Sequence, residues 1–290
     1  MKTIRVYIVD NRQHTPPEDT LDGLILSRLA LYYNVVIDPK TPQIVFGDIF
    51  GSMIGEYDAI RVSLSRENYA PDFNLYDYAV TIIQDFSFRD RVFNMRVPVF
   101  QAKERRSMQA IESRKEFTAG DLAAKTGFCS FVQSNPCPSR VEFFNKLSAY
   151  KRVDSGGRTL NNVGGPVEDK FAFQSSRKFA IAFLNEINYT AQDRPLNEFA
   201  ARTLPIFWGN PYIGEIYNTK AFVNVMDYSS FDAAIEVVKE IDNDDARYIE
   251  MMNEPVFVPE LNLTFENELK RLDEFPMSFS LLKTFAAGAY

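Results

Sequence analysis

Ile4 to Val9 crowds β-branched and aromatic residues into six positions with almost no helix former, which predicts a first strand. Polar turn chemistry around Pro16 and Pro17 follows, and Leu21, Leu24, Leu29 and Leu31 then recur at helical spacing through Tyr33. Short apolar runs at Asn34–Asp38, Gln43–Gly47 and Ala59–Leu64 read as further strands. From Ala102 to Lys125 the chain turns charged and only weakly apolar, the pattern of a solvated helix pair or an interdomain link. Past it the rhythm restarts with strands at Phe128–Gln133, Arg152–Val153, Lys178–Leu184, Leu204–Trp208 and Ala221–Val225. Helices are expected at Ser139–Tyr150, Pro195–Arg202, Phe231–Ile241 and Arg247–Asn253. Alternating strands and helices of these lengths predict an α/β fold with parallel sheets, in two units of similar size with a cleft between them.

At 290 residues, two domains of ordinary size suit the chain better than one core, and 46% hydrophobic against 24% charged residues is the balance of a folded globular protein. The formal net charge of −7 repels nucleic acid and anionic membranes, so an anionic ligand needs a local basic cluster. No stretch approaches the run of about 18–20 apolar residues that spans a bilayer. The first strand is too short and alternating for a signal peptide, so a cytoplasmic protein, at most peripheral to a membrane, is expected. Cys129 and Cys137 are expected as free thiols, and His14 is the single histidine, in a polar turn. That leaves neither a transition-metal ligand set nor histidine-based acid–base catalysis.

Four clusters carry candidate chemistry. In SNPCPSR (134–140) a strand ends, a Pro-rich turn follows, and Arg140 enters the first helical turn. Backbone N–H groups and a guanidinium there suit a diphosphate; an ordinary helix start with a surface arginine is the alternative. The stretch VDSGGRTLNNVGG (153–165) either brings backbone close to a ligand or is a flexible crossover loop. In YTAQDRP (189–195) Asp193 could accept from sugar or ribose hydroxyls and Arg194 neutralise a phosphate, unless the pair merely caps a helix. In SRENYAPDFNLYDYAV (65–80), Glu67 stands among aromatics just past a strand and is a candidate general base. Asp242-Asn243-Asp244 looks like a metal–nucleotide DxD but lies past a helix rather than a strand, so it reads as a solvated helix end.

Taken in order, VFGDIFGS (45–52), SRENYAPDFNLYDYA (65–79), the block 128–162, KFAIAFLNE (178–186) and TLPIFWGNPYIGEIYNTKAFVNVMDY (203–228) resemble the family 10 glycosyltransferases, the α-1,3/α-1,4-fucosyltransferases, most closely the bacterial members. The resemblance implies a GT-B fold of two Rossmann-like domains facing each other across a cleft. It implies an acceptor domain at 1–125, a GDP-sugar domain at 126–265 and a C-terminal helical segment at 266–290. It implies inverting transfer of L-fucose from GDP-fucose to an oligosaccharide acceptor of the N-acetyllactosamine type, for lipopolysaccharide or capsule glycans, with no metal or other cofactor. By the same resemblance Glu67 is the base, and Asn135, Arg140, Tyr189, Asp193 and Arg194 hold the donor. The chain departs from the family where Gln192, Asp193 and Arg194 stand for Thr, Glu and Lys, and where FLN (183–185) stands for FEN. A planar fork in place of a point charge signals either a different GDP-sugar donor or a subfamily variation; a binding-only relative that holds a nucleotide or glycan without catalysis is a separate alternative.

Overall fold

The computed structural model describes residues 1–9, 20–65, 67–84, 86–98, 101–190 and 194–278. The turn holding His14 and the residue Asp193 lie outside them. The described chain divides into two compact units, 1–105 with 189–191 and 264–290, and 106–188 with 192–263.

The first unit is built on strands β1 (Thr3–Val9), β2 (Asn34–Ile37), β3 (Ile44–Gly47), β4 (Ile60–Leu64), β5 (Tyr78–Thr81) and β6 (Val92–Asn94). They run parallel in the order β2-β1-β3-β4-β5-β6. β3 carries four buried residues in succession, as expected of a strand covered on both faces. Helix α1 (Leu21–Leu29) starts where the Thr20 hydroxyl accepts from Gly23 N and buries Leu21, Leu24, Ile25 and Leu29. It stops four residues before the expected Tyr33, because Leu31 finds no core and stays 57% exposed. The last described helix, α9 (Phe265–Ser278), closes the same core with Leu269, Leu272 and Phe275. The Arg28 guanidinium clasps the Asp273 carboxylate with two N–H bonds, and this fork links α1 to α9.

The second unit holds β7 (Gly127–Phe131), β8 (Val153–Ser155), β9 (Arg177–Phe183), β10 (Leu204–Trp208) and β11 (Val223–Asn224), parallel in the order β11-β10-β9-β7-β8. Its helices are α3 (Ala119–Ala123), α4 (Pro138–Tyr150), α5 (Lys170–Ser175), α6 (Leu196–Ala200), α7 (Phe231–Asp242) and α8 (Asp245–Asn253). Fully buried Phe131, Phe143, Phe179, Phe183, Ile206 and Tyr248 lie in its core.

Two expectations need correction. The segment expected to be solvated forms α2 (Ala102–Glu112) and α3, and it buries Met108, Ile111, Phe117 and Leu122. Few apolar residues at helical spacing suffice to anchor one face. Asp242, expected in solvent, is 8% exposed and accepts from Tyr150, Lys151 and Lys178. Burial opposes its ionisation, yet the two ammonium groups and the phenol outweigh burial and hold its carboxyl below the usual range. The aspartate therefore ties the end of α7 to α4 and β9.

Candidate functional site

In an open parallel sheet, ligands gather beyond the carboxyl ends of the strands, where loops and helix N-termini converge. At the end of β7, residues 134–136 turn and α4 begins with Pro138 at its first position. The N-cap Cys137 makes no side-chain capping bond to this helix. The positive end of a thirteen-residue helix favours an anion, although Pro138 brings no N–H and Arg140 N already donates to Cys137 O at 3.1 Å.

Arg140 stands in that first turn and is only 5% exposed, so the surface-arginine alternative does not hold. Its Nε and Nη2 donate to Phe183 O at the end of β9, at 3.1 and 2.6 Å, and Nη1 donates to Asn135 O at 3.3 Å. Asn135 itself is exposed in the turn. Burial first, and then the neighbouring Arg194 charge, pull the Arg140 guanidinium down to about 10. It is still a cation at neutral pH, held beside a second cation.

Arg194 precedes α6 with its side chain 19% exposed, and its Nη1 lies 3.9 Å from Glu198 Oε1, one helical turn away. Glu198 is fully buried, and the same oxygen accepts from Lys170 Nζ and Gln174 Nε2, each at 3.1 Å. Burial opposes ionisation, but Lys170, Arg194 and Gln174 outweigh it and hold the Glu198 carboxyl below its ordinary value. Neither Arg194 Nη1 nor Glu198 Oε2 has a hydrogen-bond partner, although both atoms are buried, so this ion pair is long and incompletely satisfied. Because folding lowers the Glu198 pKa, its contribution to stability is complete above pH 4.5 and is lost as pH falls through the folded value. Glu198→Gln is expected to cost about 3 kcal/mol at neutral pH. It should also flatten the acid limb of the stability–pH curve, read by unfolding midpoints between pH 3 and 7; an unchanged acid limb would refute the assignment.

Residues 153–165 hold β8 and the start of its connection to α5, and this loop is tied by hydrogen bonds to the end of β7. Gly156 N donates to Phe131 O and Thr159 N to Gln133 O, both at 3.0 Å, while Asn162 Oδ1 accepts from Ser155 N at 2.8 Å. A Cβ on Gly157 would sit 2.1 Å from Gln133 O, so only glycine lets this loop lie against the strand end. Gly209 does the same service after β10, at φ 128° and with its built Cβ 2.6 Å from Leu184 Cβ.

Asn135, Arg140 and Arg194 thus gather in the second unit. Glu67 and Tyr189 belong to the first. Glu67 is exposed in the loop after β4, where the Ser65 hydroxyl accepts from Glu67 N at 3.4 Å. Tyr189 is 46% exposed; its carbonyl accepts from Gln84 N at 2.5 Å, and Thr190 bridges Ile83 in antiparallel sense. Sequence reasoning missed Lys170, Gln174 and Glu198. The four-residue spacing of Arg194 and Glu198 was the one signal available.

Two open parallel sheets, the second with a buried arginine in the first turn of a helix that follows a strand, define an α/β protein of two parallel-sheet units. Residues 12–102 match the family model of the alpha-(1,3)-fucosyltransferase FucT N-terminal domain. Residues 122–253 match that of the glycosyltransferase family 10 (fucosyltransferase) C-terminal region. The chain belongs to glycosyltransferase family 10. It is 30% identical over 265 residues to alpha-(1,3)-fucosyltransferase FucT of Helicobacter pylori, an alignment covering 80% of this chain and 52% of that protein. The chain thus spans about half the length of that curated relative. A solved alpha1,3-fucosyltransferase superposes with a TM-score of 0.77 at 24% identity, over 96% of this chain and 91% of that one. A crystal structure of alpha1,3-fucosyltransferase with GDP-fucose gives 0.75 at 24% identity, over 95% of this chain and 91% of that one. The fold is therefore of the GT-B type. Among the described residues no helix is long and apolar enough to cross a membrane.

Proposed function

We propose that this chain transfers L-fucose from GDP-fucose to the 3-hydroxyl of an N-acetyllactosamine-type glycan, with inversion at the anomeric carbon. Arg140 carries the reading: a buried cation at the start of α4, beside Arg194 and without a carboxylate among its partners. Such a pair suits the two charges of a diphosphate and the extra charge that develops as GDP leaves. Family membership supplies fucose as the sugar, and a relative of the same fold was solved with GDP-fucose. In this reading the first unit offers the acceptor and the second the donor. Glu67 takes the proton from the attacking hydroxyl, and Asn135, Tyr189 and Asp193 complete the donor's contacts. The arginines provide the countercharge in place of a metal, so turnover should persist in EDTA.

The substitution at Gln192-Asp193-Arg194 favours one second reading, the same chemistry with another GDP-sugar. Incubating the protein with GDP-fucose, GDP-mannose or GDP-arabinose and N-acetyllactosamine, with products read by mass spectrometry, separates the two. A mass increase of one deoxyhexose from GDP-fucose alone is the expected result. Turnover only with another donor would select the second reading, and GDP binding without turnover from any donor would reduce the chain to a binding protein.

A further inference from the structure

Phe50 and Tyr69 are 56% and 59% exposed, and their rings lie 6.3 Å apart, tilted by 47°. They come from separate loops leaving the carboxyl ends of adjacent strands, since β3 pairs with β4 in parallel with Gly47 opposite Ser63. The Phe50 loop is not slack. Asp48 Oδ1 accepts from Phe50 N at 2.9 Å, Asp48 O accepts from Gly51 N at 2.9 Å, and the Tyr76 hydroxyl donates to the same carbonyl at 2.9 Å. Two large rings are thus exposed side by side, one of them on a loop whose backbone is held by hydrogen bonds, at an apolar cost that a monomeric surface ordinarily avoids.

We infer that Phe50 and Tyr69 form a stacking platform for a hexopyranose ring of the acceptor glycan. The inference rests on the proposed role of Glu67. A pyranose has one face made of C–H bonds, which packs on the electron-rich face of an aromatic ring. Rings with two χ angles lose little entropy when a ligand covers them. The Tyr69 phenol adds a donor and an acceptor for sugar hydroxyls at the edge of the platform. Glu67 precedes Tyr69 by two residues, so their Cα atoms are within about 7 Å, little more than the width of one sugar ring. A ring seated on the pair therefore presents its hydroxyls in the neighbourhood of the base, which needs contact at about 3 Å.

Phe50→Ala, Tyr69→Ala and the double variant test this by initial rates with N-acetyllactosamine and GDP-fucose. The acceptor KM should rise about tenfold in each single variant and further in the double, with donor KM, donor hydrolysis and unfolding temperature unchanged. Phe50→Trp and Tyr69→Phe should keep the acceptor KM within threefold, whereas Leu at either place should not. An acceptor KM unchanged in the double variant, or full rescue by Leu, overturns the platform. A fall in donor affinity or unfolding temperature overturns it too, by making the rings packing residues. Saturation-transfer NMR with N-acetyllactosamine, lactose and methyl β-galactoside gives a readout independent of turnover. Ring-proton signals present with the wild-type protein and lost in the double variant support the platform even where no GDP-fucose turnover is found. No signal from any of the three sugars with the wild-type protein overturns it.

Discussion

Glu67→Gln is expected to lower kcat for fucosyl transfer by about 10²–10⁴-fold, while GDP affinity by calorimetry stays within twofold. Glutamine keeps the size and much of the hydrogen bonding of glutamate but cannot take a proton, so the loss isolates base catalysis from positioning. The residue is exposed, the Ser65 hydroxyl accepts from its backbone N–H at 3.4 Å, and it belongs to the first unit, whereas Arg140 and Arg194 belong to the second. In the proposed reading it contacts the acceptor hydroxyl and makes no contact with the diphosphate. Loss of GDP affinity in this variant, or transfer at an undiminished rate, would remove Glu67 from the assigned role. A fall in kcat and kcat/KM together is the signature of an interaction made in the transition state.

Arg140→Ala should weaken GDP binding by about 30-fold or more, because truncating one partner of a desolvated charge pair costs 2–5 kcal/mol. The variant should also unfold at a lower temperature. The buried Phe183 O loses its donors, and a buried acceptor left unmade costs about 1–3 kcal/mol, whereas water can replace the donor to Asn135 O in the exposed turn. The two effects are separable with Arg140→Lys, which keeps the charge but not the fork that spans two carbonyls. Lysine is expected to restore part of the GDP affinity and little of the thermal stability. Pyrophosphate alone should stabilise the wild-type protein and not Arg140→Ala, since an anion offsets the repulsion between Arg140 and Arg194. Equal stabilisation of both proteins would move the anion site elsewhere.

Strands β3, β9 and β10 were legible because they are buried on both faces and read as nearly unbroken apolar runs, as at Ile44–Gly47 and Lys178–Leu184. β5 was not, since Tyr78–Thr81 follows a stretch rich in Asp, Asn and Pro that reads as loop to a local window. α5 was missed for a similar reason: six residues, LysPheAlaPheGlnSer in sequence, are too few to show a period. Arg140 was found from its place after a strand and a turn, but its burial could not be, because the acceptor at Phe183 O is 43 residues away. The Glu198 network was illegible for the same physical reason; its partner Lys170 lies 28 residues upstream on another helix. Charge in the sequence reports what a side chain carries, and only the fold reports what stands opposite it.

Helix α9 closes the core of the first sheet, yet Leu269 follows Val62 by 207 residues. At roughly 5–20 residues per second of synthesis, that separation is about 10–40 s during which the earliest strands lack their last cover. The inserted unit, 106–188 with 192–263, has the main cluster of its core in hand once Met252 has emerged and the rest by Leu263. On the ribosome the order of completion therefore runs against the order of the chain: the later sheet matures first. The earlier one waits with an open apolar face, the condition in which a nascent chain depends on chaperones that bind exposed hydrophobic surface.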